Sequence, residues 1–204
     1  MYIRVLGSAA GGGFPQWNCN CKNCSNVRAG HEGYTARTQS SIAVSSNEND
    51  WLLFNASPDI LTQLKSAGLR LQPARSVRDS GIKSIVLMDA QIDHTTGLFM
   101  LRESSSPLII YSTKEVRDEL TSGNPIFNVL DFYCKVNWVE IDIESNDFIS
   151  IPQVQDIELR FMPLKSEAPP FSPFRGKPRR GDNVGVQIMD KNTKKKSFLF
   201  PWSC

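Results

Sequence analysis

Hydrophobic and polar positions alternate along the chain in short runs that predict many strands and few helices. The runs at residues 2–6, 41–45 and 51–55 have the length and the apolar content of strands, and the polar stretch 46–50 makes the last two a hairpin. Later strands are predicted at residues 84–88, 108–111, 136–141, 148–151, 157–162, 184–190 and 197–200.

Three helices are predicted between these strands. Ser57 is expected to cap the first helix and Pro58 to occupy its first turn. The second is predicted over residues 97–103, and a capping box at residues 112–115 starts the third, which runs through Leu120. Strands interleaved with a few helices predict an α/β sandwich.

Length and charge narrow the class of protein. The 204 residues suit a single domain over residues 1–204, and a net charge of +2 gives no electrostatic case for nucleic acid or an anionic membrane. No apolar run approaches the roughly 18 residues of a membrane-spanning helix, so no membrane insertion is expected. We therefore predict a cytoplasmic protein with reduced thiols.

Three of the five cysteines lie within six residues, at Cys19, Cys21 and Cys24. Glycines at residues 11–13 precede them, so the segment is predicted to be a loop that folds around a metal. Thiolates in this spacing favour one structural zinc ion, with a fourth ligand left open. The alternatives are one disulfide plus a free thiol, or three unrelated thiols, and a reducing compartment disfavours the disulfide.

A second polar cluster follows the predicted strand 84–88. Asp89, Asp93 and His94 lie in a stretch predicted to be a polar loop, residues 89–96. Loops at the carboxyl ends of buried strands are usual sites of chemistry in α/β proteins, and two carboxylates with an imidazole suit iron, manganese or zinc. The alternative is structural: Asp89 caps a turn and His94 hydrogen-bonds to the backbone.

This stretch resembles the His-x-His-x-Asp-His signature of the metallo-β-lactamase fold. Asp89 and Gln91 stand in place of the first two histidines, and Asp93 and His94 match. Five segments, in order along the chain, resemble the pyrroloquinoline quinone biosynthesis protein B family more closely. They are residues 7–21, 36–44, 55–60, 91–98 and 168–175.

The resemblance implies a metallo-β-lactamase-like αβ/βα sandwich that acts in making the redox cofactor pyrroloquinoline quinone. It implies iron-dependent hydroxylation of a tyrosine derived from a precursor peptide, with Asp93 and His94 catalytic and Asp89, Asp93 and His94 at the active-site metal. The alternatives are a soluble carrier of the quinone or its precursor toward the periplasm and a metallo-hydrolase. Other proteins of the same biosynthesis are the expected partners.

The chain departs from the family in two ways. Family members continue through further strands and helices beyond Phe200, and they commonly have histidine where Asp182 stands. We therefore expect an incomplete second half of the sandwich, with a marginally stable and catalytically impaired chain. A short form, a frameshift product and one half of a split protein remain open.

A basic run occupies the long loop at residues 163–183. Arg175, Lys177, Arg179 and Arg180 form either a lid that meets an acidic peptide substrate or a solvated loop, which is the favoured interpretation.

Overall fold

The computed structural model describes residues 1–68, 71, 73 and 75–200, and its strands form two sheets. Strands of the first sheet follow one another in chain order, antiparallel from β1 to β3 and parallel from β3 to β6. They are β1 Tyr2–Gly7, β2 Ser41–Ser45, β3 Trp51–Phe54, β4 Ile82–Val86, β5 Leu108–Ser112 and β6 Val136–Glu140.

The second sheet is antiparallel, in the order β10-β9-β8-β7. Its strands are β7 Ile149–Ser150, β8 Ile157–Pro163, β9 Val184–Asp190 and β10 Lys196–Leu199. The helices are α1 Lys22–Arg28, α2 Ile60–Ser66, α3 Ile92–Thr95, α4 Gly97–Met100, α5 Lys114–Asp118 and α6 Ile126–Leu130, and a π-helical turn at Glu119–Gly123 continues α5.

The main core lies between the two sheets. Leu52 and Val86 of the first sheet share a buried cluster with Leu159, Phe161 and Val186 of the second. Helices cover the other face of the first sheet, where Ile85 and Ile110 pack in a second cluster. The fold is thus the metallo-β-lactamase-like α/β sandwich that the sequence predicted, and the chain itself supplies four strands of the second layer.

Several predicted elements differ from the observed ones in their ends. Asp59, and not Ser57, is the N-terminal flanking residue of α2, and the Ser57 hydroxyl instead donates a hydrogen bond to Oε1 of Gln63 at 3.0 Å. Thr113 caps α5 by accepting from the backbone N–H of Val116, so the predicted capping box is wrong. The second predicted helix ends at Met100.

Three helical segments were not predicted. Helix α3 lies inside the stretch expected to be a polar loop, because a single turn of four residues carries no apolar periodicity that the sequence would reveal. Helix α1 directly follows Cys21, and α6 has only five residues. Each is held by contacts with the rest of the chain and not by its own pattern.

An ion pair between the two sheets predicts a pH dependence of stability. The Met1 ammonium lies 2.6 Å from Oδ2 of Asp190, and its hydrogen bond lowers the pKa of Asp190 to about 2. An unfolded aspartate titrates near pH 3.9, so the stabilisation is present above about pH 4 and is lost as the pH falls toward 2.

We expect Asp190→Asn to lower the free energy of unfolding by about 2 kcal/mol at pH 6 and by much less near pH 2. Urea unfolding across this pH range is the measurement, and Asp147→Asn, at an exposed position, is the control. A difference between wild type and Asp190→Asn that is the same at pH 6 and pH 2 would contradict this account.

Candidate metal centre

The predicted metal loop, residues 89–98, lies where the two sheets meet. Asp89 follows β4 and is fully buried, and its backbone pairs with Asn183 at the start of β9. The backbone N–H of Val184 donates to the carbonyl of Met88 at 2.9 Å. The second sheet therefore holds the first residues of the metal loop in place.

His94 lies between the two carboxylates of this loop. Its Nδ1 is 2.7 Å from Oδ1 of Asp89, and its Nε2 is 3.7 Å from Oδ2 of Asp93. The Asp93 side chain is 23% exposed, whereas those of His94 and Asp89 are 3% and 0% exposed. The centre is thus open to solvent on the Asp93 side and closed behind Asp89.

The two carboxylates also set the charge state of the imidazole. Burial alone would lower the pKa of His94, but the hydrogen bond and charge of Asp89, together with the charge of Asp93, outweigh burial and raise the pKa. A hydrogen bond to one ring nitrogen fixes the orientation of the ring and the tautomer of the neutral form. Asp89 therefore leaves Nε2 directed toward Asp93.

The loop between β3 and α2 fixes the backbone of the metal loop. The Ala56 N–H donates to the carbonyl of His94 at 2.7 Å, and the Gly97 N–H donates to the carbonyl of Ala56 at 2.9 Å. A β-carbon at Gly97 would overlap the carbonyl oxygens of Ser57 and Ala56. Glycine at residue 97 thus allows the close approach that places His94.

The cysteine knuckle, Cys19, Cys21 and Cys24, forms a second cluster. The three sulfur atoms lie within 4.8 Å of one another. A hydrogen bond from the backbone of Cys24 and hydrogen bonds with the Cys19 and Cys24 thiols lower the pKa of Cys21 to about 7. All three thiols are free, so the alternative of a disulfide in this segment is not what the structure contains.

The predicted ligands therefore meet in two places. In the part of the chain that the structure describes, only the knuckle brings three candidate ligand atoms within 4.8 Å of one another. Asp93 and His94 also meet, but Asp89 contacts the opposite ring nitrogen. Its Oδ2 is buried and lacks a hydrogen-bond partner among the described residues, and its role as a ligand stays a prediction. For the open fourth position of the knuckle, the sequence offers His31 as the nearest imidazole and Asp59 as a possible carboxylate, and neither is part of the cysteine cluster.

Two residues near these sites were not predicted from the sequence. A β-carbon at Gly11 would lie 3.4 Å from Oδ2 of Asp93, so the backbone of Gly11 forms one wall of the centre. Arg28 donates to the carbonyl of Cys19 at 2.6 Å and also to that of Gln16. The run of three glycines was a signal for the first, and no local pattern marks the second.

Two of the four residues of the basic run, Arg179 and Arg180, form ion pairs. Arg179 forms ion pairs with Glu119 at 2.9 Å and Asp182 at 2.7 Å, both buried, and stacks on Phe174. The favoured interpretation of a solvated loop is thus wrong for Arg179, which fastens the loop to α5 and the π-helical turn. Arg180 pairs with Glu144 in a contact exposed on both sides.

A cleft of about 680 Å³ opens beside the metal loop. Gln91 lines it on one side, and the long loop after β8 lines it on the other. Its charged lining residues are Lys165, Glu167, Arg175, Arg179 and Arg180. Four of these five residues are cationic, and two of the four, Arg179 and Arg180, form the ion pairs described above. Among the described residues, no helix is long and apolar enough to cross a membrane.

Comparison with known sequences places the chain in a family. The sequence profile of the beta-lactamase superfamily domain matches residues 50–200. A protein named coenzyme PQQ synthesis protein B from Nitrosococcus oceani is 52% identical over 205 residues, covering 98% of this chain and 66% of that protein. A protein of the same name from Methylobacillus flagellatus is 53% identical over 201 residues, covering 98% and 66%. The chain thus spans just under two thirds of the length of these relatives.

Solved structures agree with the sequence comparison. Zn(2+)-bound PqqB from Methylobacterium extorquens matches with a TM-score of 0.81 at 31% identity, covering 98% of this chain and 65% of that one. A diphosphatase of the PhnP family matches with a TM-score of 0.65 at 18% identity, covering 92% and 61%, which shows the fold alone. The chain belongs to the beta-lactamase superfamily and, within it, to the family of coenzyme PQQ synthesis protein B.

Proposed function

We propose that this chain acts in the biosynthesis of pyrroloquinoline quinone as a metal-dependent hydroxylase of a tyrosine derived from a precursor peptide. The observation that carries the proposal is the arrangement of His94, with Asp89 on one ring nitrogen and Asp93 beside the other. The names of its relatives support the biosynthetic role. Other proteins of that biosynthesis are the proposed partners, and the cytoplasm is the proposed location.

Zinc fits the cysteine knuckle. Tetrahedral coordination with zinc–sulfur bonds of about 2.3 Å separates the sulfurs by about 3.8 Å, and the three sulfurs here lie within 4.8 Å. The lowered pKa of Cys21 favours the thiolate that binds metal. The related PqqB from Methylobacterium extorquens binds zinc, so we assign a structural zinc ion to Cys19, Cys21 and Cys24.

The donor atoms of the metal loop are of the types that bind iron, but the loop supplies only some of the ligands that an iron site needs. Non-haem iron sites that activate oxygen commonly use two histidines and one carboxylate and keep positions open. Asp93 and Nε2 of His94 supply one carboxylate and one imidazole. Because Asp89 contacts Nδ1 on the opposite side of the ring, water or a residue from another segment would fill the remaining positions.

The residues around this pair have separate tasks. Bound iron(II) would supply the activation of oxygen for hydroxylation. Asp89 holds the ring of His94 and keeps Nε2 directed at the metal. Asp93 is the more exposed of the two proposed ligands, so the tyrosine reaches the centre from the Asp93 side. The hydrogen bonds of Ala56 and Gly97 keep the loop from shifting as substrate binds.

A carrier of the quinone or its precursor is the second candidate, and the cleft beside Gln91 supports it. The cleft holds about 680 Å³, within the range of small-molecule sites, and four of its five charged lining residues are cationic. Such a lining suits an anionic ligand. The metallo-hydrolase is the least supported candidate. A dinuclear zinc site uses a histidine where this chain has Asp89, and Asp89 instead contacts Nδ1 of His94.

Mass spectrometry of the product tests the proposal. A tyrosine-containing peptide is incubated with the iron(II)-loaded protein, air and a chemical reductant, and we expect a gain of one oxygen atom on the tyrosine ring. Asp93→Ala should abolish this gain. If the protein binds the quinone but adds no oxygen to the tyrosine with any metal bound, the carrier function is favoured.

A further inference from the structure

The cysteine knuckle and the metal loop are joined by a short series of direct contacts. Between them lies the glycine loop, residues 10–13, which precedes the knuckle in sequence and touches Asp93 in space. Neither cluster alone suggests a connection, because the two motifs are far apart along the chain.

The first contacts fasten the knuckle to the segment before it. Arg28, in the last turn of α1, donates to the carbonyls of Cys19 and Gln16. The Cys19 N–H also donates to the carbonyl of Gln16 at 3.1 Å. The thiol of Cys24 has a hydrogen bond with the backbone of Gln16, which lowers the pKa of Cys24, although burial and the neighbouring thiols raise it on balance. Gln16 is therefore fixed by the knuckle.

The next contacts pass from Gln16 to the glycine loop. A β-carbon at Gly12 would lie 3.0 Å from Cγ of Gln16, so the side chain of Gln16 covers this turn of the backbone. Gly12 has a φ of 92°, a conformation that residues with side chains rarely adopt. The shape of the glycine loop thus depends on glycine at residue 12, and its position depends on the side chain of Gln16.

The other side of the glycine loop is held by residues 37–40. Phe14 and Arg37 exchange two backbone hydrogen bonds, of 2.9 and 2.7 Å, and Ser40 donates to the carbonyl of Ala9 at 2.9 Å. Because one side is fixed in this way, we expect any movement of the loop to be toward or away from the knuckle. Movement in that direction changes the wall that Gly11 forms against Asp93.

We propose that the cysteine knuckle, through Arg28 and Gln16, positions the glycine loop against Asp93, so that occupancy of the knuckle sets the affinity of Asp93 and His94 for a divalent cation. Arg28 is a positioning residue in this arrangement. Linkage is reciprocal, so a cation at Asp93 also tightens the hold of the knuckle on its metal. The second half of the proposal rests on the proposed function.

The test measures both sites in one sample. The knuckle is loaded with zinc and the second site is titrated with Mn²⁺, which prefers oxygen and nitrogen ligands to thiolates. Native mass spectrometry reports the zinc, electron paramagnetic resonance reports the bound Mn²⁺, and hydrogen exchange reports the amides of residues 10–14. The variants are Arg28→Ala, Arg28→Lys and, as the matched control, Lys22→Ala, which removes an exposed cation from the same helix.

We expect Arg28→Ala to keep zinc, to raise the Mn²⁺ dissociation constant at least fivefold and to speed exchange at residues 10–14. Arg28→Lys should recover part of the affinity, and Lys22→Ala should stay within twofold of wild type. Gly11→Val, which leaves the knuckle intact, should weaken Mn²⁺ binding by crowding Asp93. The inference would be overturned if zinc-loaded Arg28→Ala had the same Mn²⁺ affinity as wild type and the same hydrogen exchange at residues 10–14.

Failure of the proposed function has a different signature. If wild type binds no Mn²⁺, or if His94→Asn binds as much Mn²⁺ as wild type, the metal loop is not a cation site. Exchange at residues 10–14 before and after removal of zinc then decides whether the knuckle positions the glycine loop. Unchanged exchange would overturn that part as well.

Discussion

Replacing His94 with asparagine is expected to abolish metal binding at the metal loop while leaving both the fold and the knuckle zinc in place. The amide of asparagine takes the position of Nδ1 and continues to donate to Asp89, but nothing replaces Nε2. We expect the affinity for iron(II) or Mn²⁺ to fall by at least about 100-fold, because one of only two proposed protein ligands is lost.

The companion variant His94→Ala separates binding from stability. It removes the hydrogen bond as well and leaves the buried Asp89 carboxylate with the backbone N–H of Gln91 as its remaining donor. Breaking a buried pair in this way costs about 3–5 kcal/mol, so His94→Ala should unfold at lower denaturant concentration than His94→Asn. Asp93→Ala should also lose the metal, with little change in stability because Asp93 is partly exposed.

Isothermal titration with metal and urea unfolding measure the two quantities separately. Equal metal affinity in wild type, Asp93→Ala and His94→Asn would show that the metal loop has another role. Equal stability of the two His94 variants would show that the contact between Asp89 and His94 contributes little.

The second large effect is expected at the cysteine knuckle. Replacing Cys19, Cys21 or Cys24 with serine should lower the zinc content from one ion per chain to nearly none. It should also lower the unfolding temperature, since zinc that binds only the folded chain stabilises it. Helix α1 begins within the knuckle and lacks a side-chain cap, so it depends on the metal more than the sheets do.

Cys134→Ser is the control, because Cys134 is a buried free thiol outside the knuckle. It should keep its zinc. A chelator should bring wild type down to the stability of the knuckle variants without affecting those variants further. Native mass spectra without metal, together with rapid alkylation of all three thiols, would refute the zinc assignment.

The runs of hydrophobic and polar residues along the sequence predicted most of the strands and, from them, the fold. Strand β9 was predicted at its observed ends, because the segment Val184–Asp190 is rich in apolar and β-branched residues and a lysine-rich turn follows it. Helix α3 was missed because four residues cannot show a period, and its shape comes from the hydrogen bonds of Ala56 with His94 and Gly97. Tertiary contacts, which local sequence does not record, decided that segment.

The sequence likewise predicted one part of the candidate site and not the other. The spacing of Cys19, Cys21 and Cys24 was enough to place three sulfurs together. The neighbours Asp89, Asp93 and His94 were predicted to share one metal, but which ring nitrogen each carboxylate meets depends on the bend of α3 and on β9. Sequence adjacency gives the composition of the cluster and leaves its orientation undetermined.

The pairing of Asp89 with Asn183 has a consequence for the order in which the molecule assembles. The contacts of the knuckle join residues 16–28 and need only short loops to close, so they form early in folding. The metal loop is completed only when β9, almost half the chain away, docks on the end of β4. Under the proposed metal assignments, a nascent or partly unfolded chain would therefore bind zinc at the knuckle before the iron site at the metal loop is complete.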